Sequence, residues 1–258
     1  MRYFYIEPTT ISGNLALIGG SDEKHIKKVL RLKPGDEVGL FDGKGFEYRA
    51  RIERFSSAGV EVLILEQAKS IHESPVEIAL AQGFLKERKM DDLVRHLTEL
   101  GVSRYIPFIA ARSVSRPGKK QLAQRMERWV TISKEALKQC RRSRFMEISE
   151  ILSFTEALEA ALPFEVKLLF WENESTRLCE IPECVGSGPV HSVFVMIGPE
   201  GGFTEEEVAL ARDSGFVTAG LGPRILRAET ATLAAGALAQ YLFGDMGKKT
   251  LDIRIRFL

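Results

Sequence analysis

The sequence has no long hydrophobic run, and none of its apolar stretches approaches the roughly 18 residues that a membrane-spanning helix requires. From Met1 onward it follows a strand-like pattern instead of the charged and apolar regions of a secretory signal peptide. These two absences argue against a membrane protein and against a secreted one. We therefore expect a cytoplasmic protein without a membrane partner.

Cysteine and histidine are scarce, with three and four residues in a chain of 258. Cys179 and Cys184 have no matching pair of cysteines or histidines, so their spacing does not indicate a zinc site. The histidines are scattered, and neither a Ser/His/Asp nor a Cys/His grouping is evident. We expect reduced thiols, no bound metal and no covalent hydrolase chemistry.

The chain also lacks the motifs that usually bind phosphate groups. It has no G-x-x-x-x-G-K-[ST] loop, and the glycines within residues 198–202 do not fit the G-x-G-x-x-G pattern of dinucleotide-binding folds. Glu200 lies in that turn, and its charge would oppose a pyrophosphate at the N-terminus of the following helix. A cationic or neutral cofactor of the nucleoside type fits these absences better.

Residues 190–243 contain two glycine-marked turns, each between a strand-like and a helix-like pattern. Residues 197–207 read IGPEGGFTEEE, in which Thr204 and Glu207 are spaced as a helix capping box. Residues 221–231 read LGPRILRAETA and connect a predicted strand, 216–221, to a predicted helix, 228–242. Glycines can serve merely to close tight turns, but two such turns at the carboxyl ends of parallel strands favour a ligand crevice.

Positive charge is concentrated in one segment of a chain whose net charge is only +1. Residues 112–144 contain eleven lysines and arginines against two glutamates, so this segment carries +9 and the remainder carries −8. Solvated helix faces usually mix both signs. A single basic segment on a nearly neutral protein therefore indicates a surface for nucleic acid.

The hydrophobic pattern divides the chain into two predicted domains, residues 1–70 and 71–258. The first is β-rich, with a hairpin pattern at 38–52 whose turn contains Asp42, Gly43 and Gly45, and with a short basic helix at 22–32. The second alternates strands and helices, which predicts an α/β fold with a parallel sheet. Its predicted strands also include 76–83, 104–110, 166–170 and 190–197, and its predicted helices include 87–100 and 121–140.

The paired turn sequences IGPEGGFTEEE and LGPRILRAETA resemble those of SPOUT-class ribosomal RNA methyltransferases of the RsmE type, which methylate N3 of uridine in small-subunit ribosomal RNA. The resemblance covers nearly the whole chain. It implies a SPOUT α/β domain with a C-terminal trefoil knot, preceded by a small PUA-like β-barrel domain that binds RNA. It also implies S-adenosylmethionine as the cofactor, a homodimer, and small-subunit ribosomal RNA, free or in the assembled subunit, as the partner.

The resemblance also implies roles for individual residues. Arg224 is the first candidate for stabilising negative charge on the uracil as it loses its N3 proton, Arg227 is the second, and Glu229 is a candidate base. The residues expected to hold the cofactor are Phe170, Glu172, Ile197, Gly198, Pro199, Glu200, Gly201, Gly202, Leu221, Gly222, Ile225, Leu226, Thr230 and Ala231. The residues expected to bind RNA phosphates are Lys28, Arg31, Arg112 and Arg142.

Some alternatives remain open. Glu229 and Thr230 stand at the start of a predicted helix, where an acid or a threonine commonly caps the first turn instead of acting on a ligand. Arg141 occupies a position where the family would have a small residue. For the whole chain, the competing functions are a non-catalytic RNA-binding module and a SPOUT enzyme that methylates a ribose 2′-hydroxyl.

Overall fold

The computed structural model describes residues 1–86, 88–115, 118–174, 176, 180–181 and 188–247. The chain divides into two compact units, of which the first contains Met1–Glu73 and Leu137–Phe145. The second contains Ser74–Ala136 and Met146–Thr250. The predicted boundary after residue 70 lies close to the observed one, but residues 137–145, which we expected in the second domain, belong to the first unit.

The first unit is built on a five-stranded sheet in the order β1-β3-β4-β5-β2. Its strands are β1 (Tyr3–Tyr5), β2 (Leu15–Ile18), β3 (Glu37–Phe41), β4 (Phe46–Phe55) and β5 (Val60–Lys69). β3 and β4 form the predicted antiparallel hairpin. Asp42 holds its turn by accepting hydrogen bonds from the amides of Lys44 at 2.8 Å and Phe46 at 3.1 Å.

A helical segment connects β2 to β3, as the basic pattern at 22–32 predicts. It begins as α1 (Gly20–Lys24) and continues as a π-helix over His25–Leu30. Ile26 is fully buried in the core of this unit, whereas Lys28 is exposed. The segment ends at Arg31, which adopts the left-handed conformation with φ of 53°.

The second unit contains a parallel sheet in the order β12-β10-β11-β6-β7-β8, with β9 also paired to β7. Its strands are β6 (Glu77–Gly83), β7 (Arg104–Ile109), β8 (Glu147–Ile148), β9 (Leu152–Ser153), β10 (Val166–Phe170), β11 (Ser192–Ile197) and β12 (Val217–Ala219). The central strands are buried along nearly their whole length, as expected for a parallel sheet covered on both faces. The predicted α/β fold is confirmed, while β8 and β9 were not predicted.

Helices flank this sheet at α2 (Lys89–Glu99), α3 (Lys119–Cys140), α4 (Phe154–Ala160), α5 (Glu205–Asp213) and α6 (Ala228–Leu242). The apolar face of α2, including Leu93 and Leu97, is buried, and Gly101 ends the helix with φ of 80° as predicted. Helix α6 has the predicted bounds and packs on α2, β6 and β11. Helix α4 was not predicted, although Ser153 and Glu156 form a capping box at its start.

Within the described ranges, no helix is long and apolar enough to cross a membrane. The same residues contain no group of three or more side chains arranged to hold a metal ion. Cys179 and Cys184, on which the sequence argument about zinc depends, lie outside the described residues.

Candidate functional site

The carboxyl ends of four parallel strands align at one edge of the sheet. Phe170, the last residue of β10, is paired with Ile197 of β11 and with Ala219 of β12, and Ile197 is paired with Gln82 of β6. A cavity of about 1130 Å³ lies at this edge, and residues of both glycine turns line it. The predicted crevice is therefore present at the position that the strand order favours.

The first glycine turn, residues 198–203, approaches its neighbours too closely for larger residues at two points. A Cβ atom on Gly83 would lie 2.5 Å from Cδ of Pro199, so the end of β6 and this turn are in direct contact. Gly202 has φ of 68°, and a side chain there would collide with the carboxylate of Glu172. The main chain of the turn thus forms one wall of the cavity.

The helix after this turn, α5, begins with the predicted capping box. The Thr204 hydroxyl accepts a hydrogen bond from the amide of Glu207 at 3.2 Å, and Glu207 Oε2 accepts one from the amide of Thr204 at 3.0 Å. The other oxygen of Glu207, which is buried, accepts a hydrogen bond from the amide of Ala111 at 2.8 Å. One carboxylate therefore fixes the start of α5 to the loop that follows β7.

The second glycine turn, residues 220–227, leads directly into α6. Gly222 has φ of 93° and open space around its Cβ position, so glycine is favoured there by backbone conformation alone. Arg224 and Arg227 line the cavity and are exposed, and Ile225 between them has 90% of its surface exposed. This turn therefore places two cationic side chains beside the cavity.

Lys89, at the start of α2, connects the first turn to the start of α6, which follows the second turn. Its Nζ lies 3.2 Å from Glu200 Oε1 in the first turn and 3.2 Å from Glu229 Oε2 at the start of α6. Partial burial lowers the pKa of Lys89, but the two carboxylates raise it by more, so the pKa lies above its ordinary value. The amide of Lys86 also donates to Glu200 at 3.2 Å. Sequence reasoning missed this connection.

Most of the residues predicted to hold the cofactor line the cavity. They are Phe170, Glu172, Ile197, Gly198, Pro199, Glu200, Gly202, Leu221, Gly222, Ile225, Leu226 and Ala231. The structure does not place Gly201 and Thr230 in the described lining. The carbonyl oxygen of Gly201 instead accepts a hydrogen bond from Arg112 Nη1 at 3.3 Å, and Thr230 is exposed.

All three predicted catalytic residues line the cavity. The environment of Glu229, however, argues against its role as a base. Partial burial raises the pKa of Glu229, whereas its own backbone amide and Lys89 outweigh that effect and lower it. A general base works best with a pKa near the operating pH, and a lowered carboxylate pKa moves away from it. The alternative reading, an acid paired at the start of a helix, is therefore favoured for Glu229.

Several lining residues were not predicted, namely Lys89, Trp171, Glu174, Thr176, Phe203, Gly220 and Ala228. Trp171 directly follows β10, so its position after a central strand was the available indication. Its indole Nε1 is buried and has no hydrogen-bond partner among the residues that the structure describes. Because buried donors are nearly always satisfied in folded proteins, this nitrogen is a candidate donor to a bound molecule.

The four residues predicted to bind RNA phosphates have different environments. Lys28 and Arg31 are exposed in the first unit, and Arg112 is exposed in the second. Arg142, in contrast, is only 3% exposed, and its Nε and Nη2 donate to Glu73 Oε2 at 3.1 and 3.0 Å. A guanidinium buried against a carboxylate is not available to a phosphate at the surface, so the prediction for Arg142 is wrong.

The cavity fits S-adenosylmethionine, the cofactor that the resemblance implies. Its lining combines main-chain groups of both turns, apolar side chains such as Phe170 and Leu221, and carboxylates such as Glu172. This combination suits a molecule with a nucleoside part and a positive charge. The volume of about 1130 Å³ lies slightly above the ~300–1,000 Å³ usual for small-molecule sites.

Models of two protein families match the chain. One, described as an RNA methyltransferase domain, matches residues 72–240, and the other, described as an RNA methyltransferase PUA domain, matches residues 18–65. The first match covers most of the second unit together with residues 72–73 and 137–145 of the first, and the second match lies within the first unit. They confirm the predicted order of a PUA-like domain followed by a methyltransferase domain.

The chain is also similar to individual proteins of known name. It is 34% identical over 227 residues to the ribosomal RNA small subunit methyltransferase E of Bacillus subtilis (strain 168), covering 87% of this chain and 89% of that protein. It is 30% identical over 228 residues to the protein of the same name from Buchnera aphidicola subsp. Schizaphis graminum, covering 86% and 88%.

Among solved structures, the ribosomal RNA small subunit methyltransferase E from Neisseria gonorrhoeae bound to S-adenosyl methionine superimposes with a TM-score of 0.83 at 34% identity. The match covers 95% of this chain and 99% of that one. A Legionella pneumophila protein, solved in complex with the cofactor SAM, superimposes with a TM-score of 0.82 at 32% identity, and the match covers 95% of this chain and 98% of that one. On the fold, the paired glycine turns and these similarities, the chain belongs to the ribosomal RNA small subunit methyltransferase E family.

Proposed function

We propose that this chain transfers a methyl group from S-adenosylmethionine to N3 of a uridine in small-subunit ribosomal RNA. The observation that carries the proposal is the cavity between the two glycine turns, which fits a cationic nucleoside and has Arg224 and Arg227 beside it. The relatives named for ribosomal RNA methylation, and those solved with the same cofactor bound, support it.

The cofactor, when bound, supplies a methyl group that is already activated for transfer by its sulfonium. What this chain must add is the placement of the uracil and the stabilisation of the charge that forms when N3 loses its proton. That charge spreads onto the two flanking carbonyl oxygens. Arg224 and Arg227 are the described cations of the second glycine turn that line the cavity, and we assign charge stabilisation first to Arg224.

Lys89 and Glu229 have a positioning role in this proposal. The ion pairs from Lys89 to Glu200 and Glu229 join the first glycine turn to the start of α6, which is the element that follows Arg224 and Arg227. One side chain therefore fixes the position of the turns that surround the cofactor relative to the arginines that face the uracil.

Replacing Lys89 with methionine tests this positioning role. We expect the dissociation constant of S-adenosylmethionine to rise by roughly tenfold, because about 1.4 kcal/mol of its binding free energy would go into bringing the first turn and the start of α6 together. The pKa of Glu229, followed by NMR, is expected to rise from its lowered value toward the ordinary one because the neighbouring cation is gone.

Lys89→Arg is the matched control, since it keeps the charge at the same place. It should recover most of the cofactor affinity and the low pKa of Glu229. Wild-type affinity in Lys89→Met, measured by calorimetry, would show that the two turns hold their positions without this lysine.

The RNA-binding part of the proposal rests on exposed cations in both units. We assign Lys28, Arg31 and Arg112 to RNA phosphates, because each is exposed within a basic region of the chain. Arg142 is excluded from this set by its burial against Glu73.

We also propose that the enzyme is a homodimer and that the C-terminal segment of its second unit forms a trefoil knot, as the family resemblance implies. The homodimer rests on that resemblance alone. Light scattering of the purified protein tests it, and a monomeric mass would refute it.

The function is tested by mass analysis of nuclease-digested ribosomal RNA from a strain that lacks this chain. We expect one uridine of the small-subunit RNA to lose a methyl group on the base. A methyl group missing from a ribose would instead identify a 2′-O-methyltransferase. Calorimetry with S-adenosylmethionine separates the remaining alternative, since a non-catalytic RNA-binding module would show no binding even at high cofactor concentration.

A further inference from the structure

Three cations of the first unit, Lys44, Arg141 and Arg144, form a cluster that has no role in the proposed methyl transfer. Lys44 lies in the turn of the β3–β4 hairpin, and the two arginines lie in the loop that follows α3. The backbones of Lys44 and Arg144 are joined by an isolated antiparallel bridge. We call these three residues the cation cluster.

The loop of residues 141–145 is docked on the hairpin turn by main-chain hydrogen bonds. The amide of Gly45 donates to the carbonyl of Ser143 at 3.1 Å, and the amide of Phe145 donates to the carbonyl of Gly43 at 3.1 Å. The ring of Phe145 packs against Tyr5, with 5.0 Å between centroids, and leaves no space for a side chain at Gly43. The hairpin turn and the loop therefore form one rigid platform.

Two carboxylates at this platform each hold its backbone with one oxygen and bind a neighbouring side chain with the other. Glu73 Oε1 accepts hydrogen bonds from the amides of Ser143 and Arg144, each at 2.8 Å, while its Oε2 binds Arg142. Asp42, which is buried, accepts a hydrogen bond from the amide of Lys44, as described above. Neither acid is thus engaged in neutralising the cation cluster.

Arg141 is held in an unfavourable backbone conformation next to this platform. Its φ is 63°, in the left-handed region that non-glycine residues rarely adopt. Such conformations cost about 1–3 kcal/mol, persist only where the surrounding contacts enforce them, and concentrate at binding and catalytic sites. The strain and the docking together fix the direction in which the chain leaves α3.

The members of the cation cluster are exposed, and within the described parts of the chain none of them forms an ion pair, although Arg141 interacts electrostatically with the buried carboxylate of Glu47. The arginines of β4 in the same unit differ in this respect. Arg49 is paired with Glu37 and Glu66, Arg51 with Glu53, and Arg54 with Glu61. Like charges opposite each other across strands repel, so the bridge between Lys44 and Arg144 is unfavourable in the free protein.

We propose that the cation cluster binds consecutive phosphates of the ribosomal RNA substrate. An RNA backbone carries closely spaced negative charges, which match cations held close together on a rigid platform and remove their mutual repulsion. The inference rests on the proposed function in one respect, that the ligand is ribosomal RNA. It does not depend on the methylation site or on the cofactor.

The test compares two triple variants of the full-length protein that lose the same charge. One is Lys44→Gln/Arg141→Gln/Arg144→Gln, and the control is Arg49→Gln/Arg51→Gln/Arg54→Gln. Binding to transcribed small-subunit ribosomal RNA is measured at several salt concentrations. For the cluster variant we expect the slope of log affinity against log salt to fall by about 2–3, since each phosphate contact contributes about 0.7–0.9. The control should keep the wild-type slope.

Two outcomes distinguish this proposal from the function on which it rests, and a third would overturn both. A wild-type slope in the cluster variant overturns the phosphate contacts and leaves the methyltransferase function intact. An equal loss in both triple variants also overturns them, because only the general charge would then matter. Absence of binding by the wild-type protein both to the transcribed RNA and to the assembled small subunit would remove both proposals.

Folding of the variants is checked by their melting temperatures and by their affinity for S-adenosylmethionine, which should match the wild type. Lys44→Gln alone provides a second measurement that leaves the strained loop unchanged. It is expected to reduce the salt slope by about 0.7–0.9, the contribution of one phosphate.

Discussion

Replacing Arg224 with alanine is expected to reduce the rate constant of methylation by roughly 10²–10³-fold, the effect usual for removing one group that stabilises charge in a transition state. The affinity for S-adenosylmethionine should stay within about threefold of wild type, because we propose that main-chain groups of the two turns, and not the Arg224 side chain, hold the cofactor. Single-turnover kinetics on ribosomal RNA and calorimetry with the cofactor measure the two quantities separately.

Arg95→Ala is the matched control for this experiment. Arg95 is also an exposed arginine of the second unit, and it pairs with Asp92 within α2. Its loss should change neither quantity. Wild-type turnover in Arg224→Ala would remove Arg224 from the mechanism, whereas a parallel loss of cofactor affinity would make it a binding residue.

The second large effect concerns stability and not catalysis. Arg142→Met removes the cation from a pair in which the arginine is 3% and Glu73 is 17% exposed, and it leaves the carboxylate without its partner. Breaking a buried pair in this way costs about 3–5 kcal/mol. We expect the amides of the first unit to lose hydrogen-exchange protection by an amount near the lower end of that range, because Glu73 keeps its two bonds to backbone amides.

Arg49→Met serves as the comparison within the same unit. Arg49 also pairs with glutamates, but on the exposed face of β4, where ion pairs contribute little to stability. Its protection pattern should remain close to wild type. Unchanged protection in Arg142→Met would mean that the buried pair is dispensable and that residues 137–145 are held to the first unit by other contacts.

The parts of the fold that were predictable from sequence are those with a long hydrophobic pattern or with clear turn residues at their ends. The strand at 166–170 and the helix at 228–242 have the predicted bounds because continuous apolar or alanine-rich runs end at polar residues or turns. β8 and β9 have two residues each, which is too short to show any period. Helix α4 has only seven residues, and its capping pair at Ser153 and Glu156 was the one usable indication.

The candidate site was predictable where it is made of consecutive residues and not where it depends on distant pairing. Both glycine turns were identified because each is a continuous motif. Lys89 was missed because its partners Glu200 and Glu229 are more than a hundred residues away in the sequence, and no local sequence pattern indicates such a pair.

The error on Arg142 has the same origin. A count of charges in residues 112–144 treats every arginine alike, whereas the fold buries one beside Glu73, 69 residues earlier, and leaves its neighbours Arg141 and Arg144 exposed. Charge patterns in a sequence therefore indicate that a basic surface exists, but the individual contributors depend on which cations the fold pairs with acids.

The discontinuous make-up of the first unit has a consequence for how the protein is synthesised. A nascent chain that has emerged as far as residue 73 contains all five strands of the sheet. It lacks Arg142, the ion-pair partner of Glu73, and the loop of residues 141–145 that binds the hairpin turn. These partners arrive only once residue 145 has left the ribosome, after two strands and two helices of the other unit have been made. During synthesis, the first unit of this enzyme therefore becomes complete only after much of the second unit has been made. A fragment that stops at residue 73 lacks the contacts with residues 137–145 that complete the first unit.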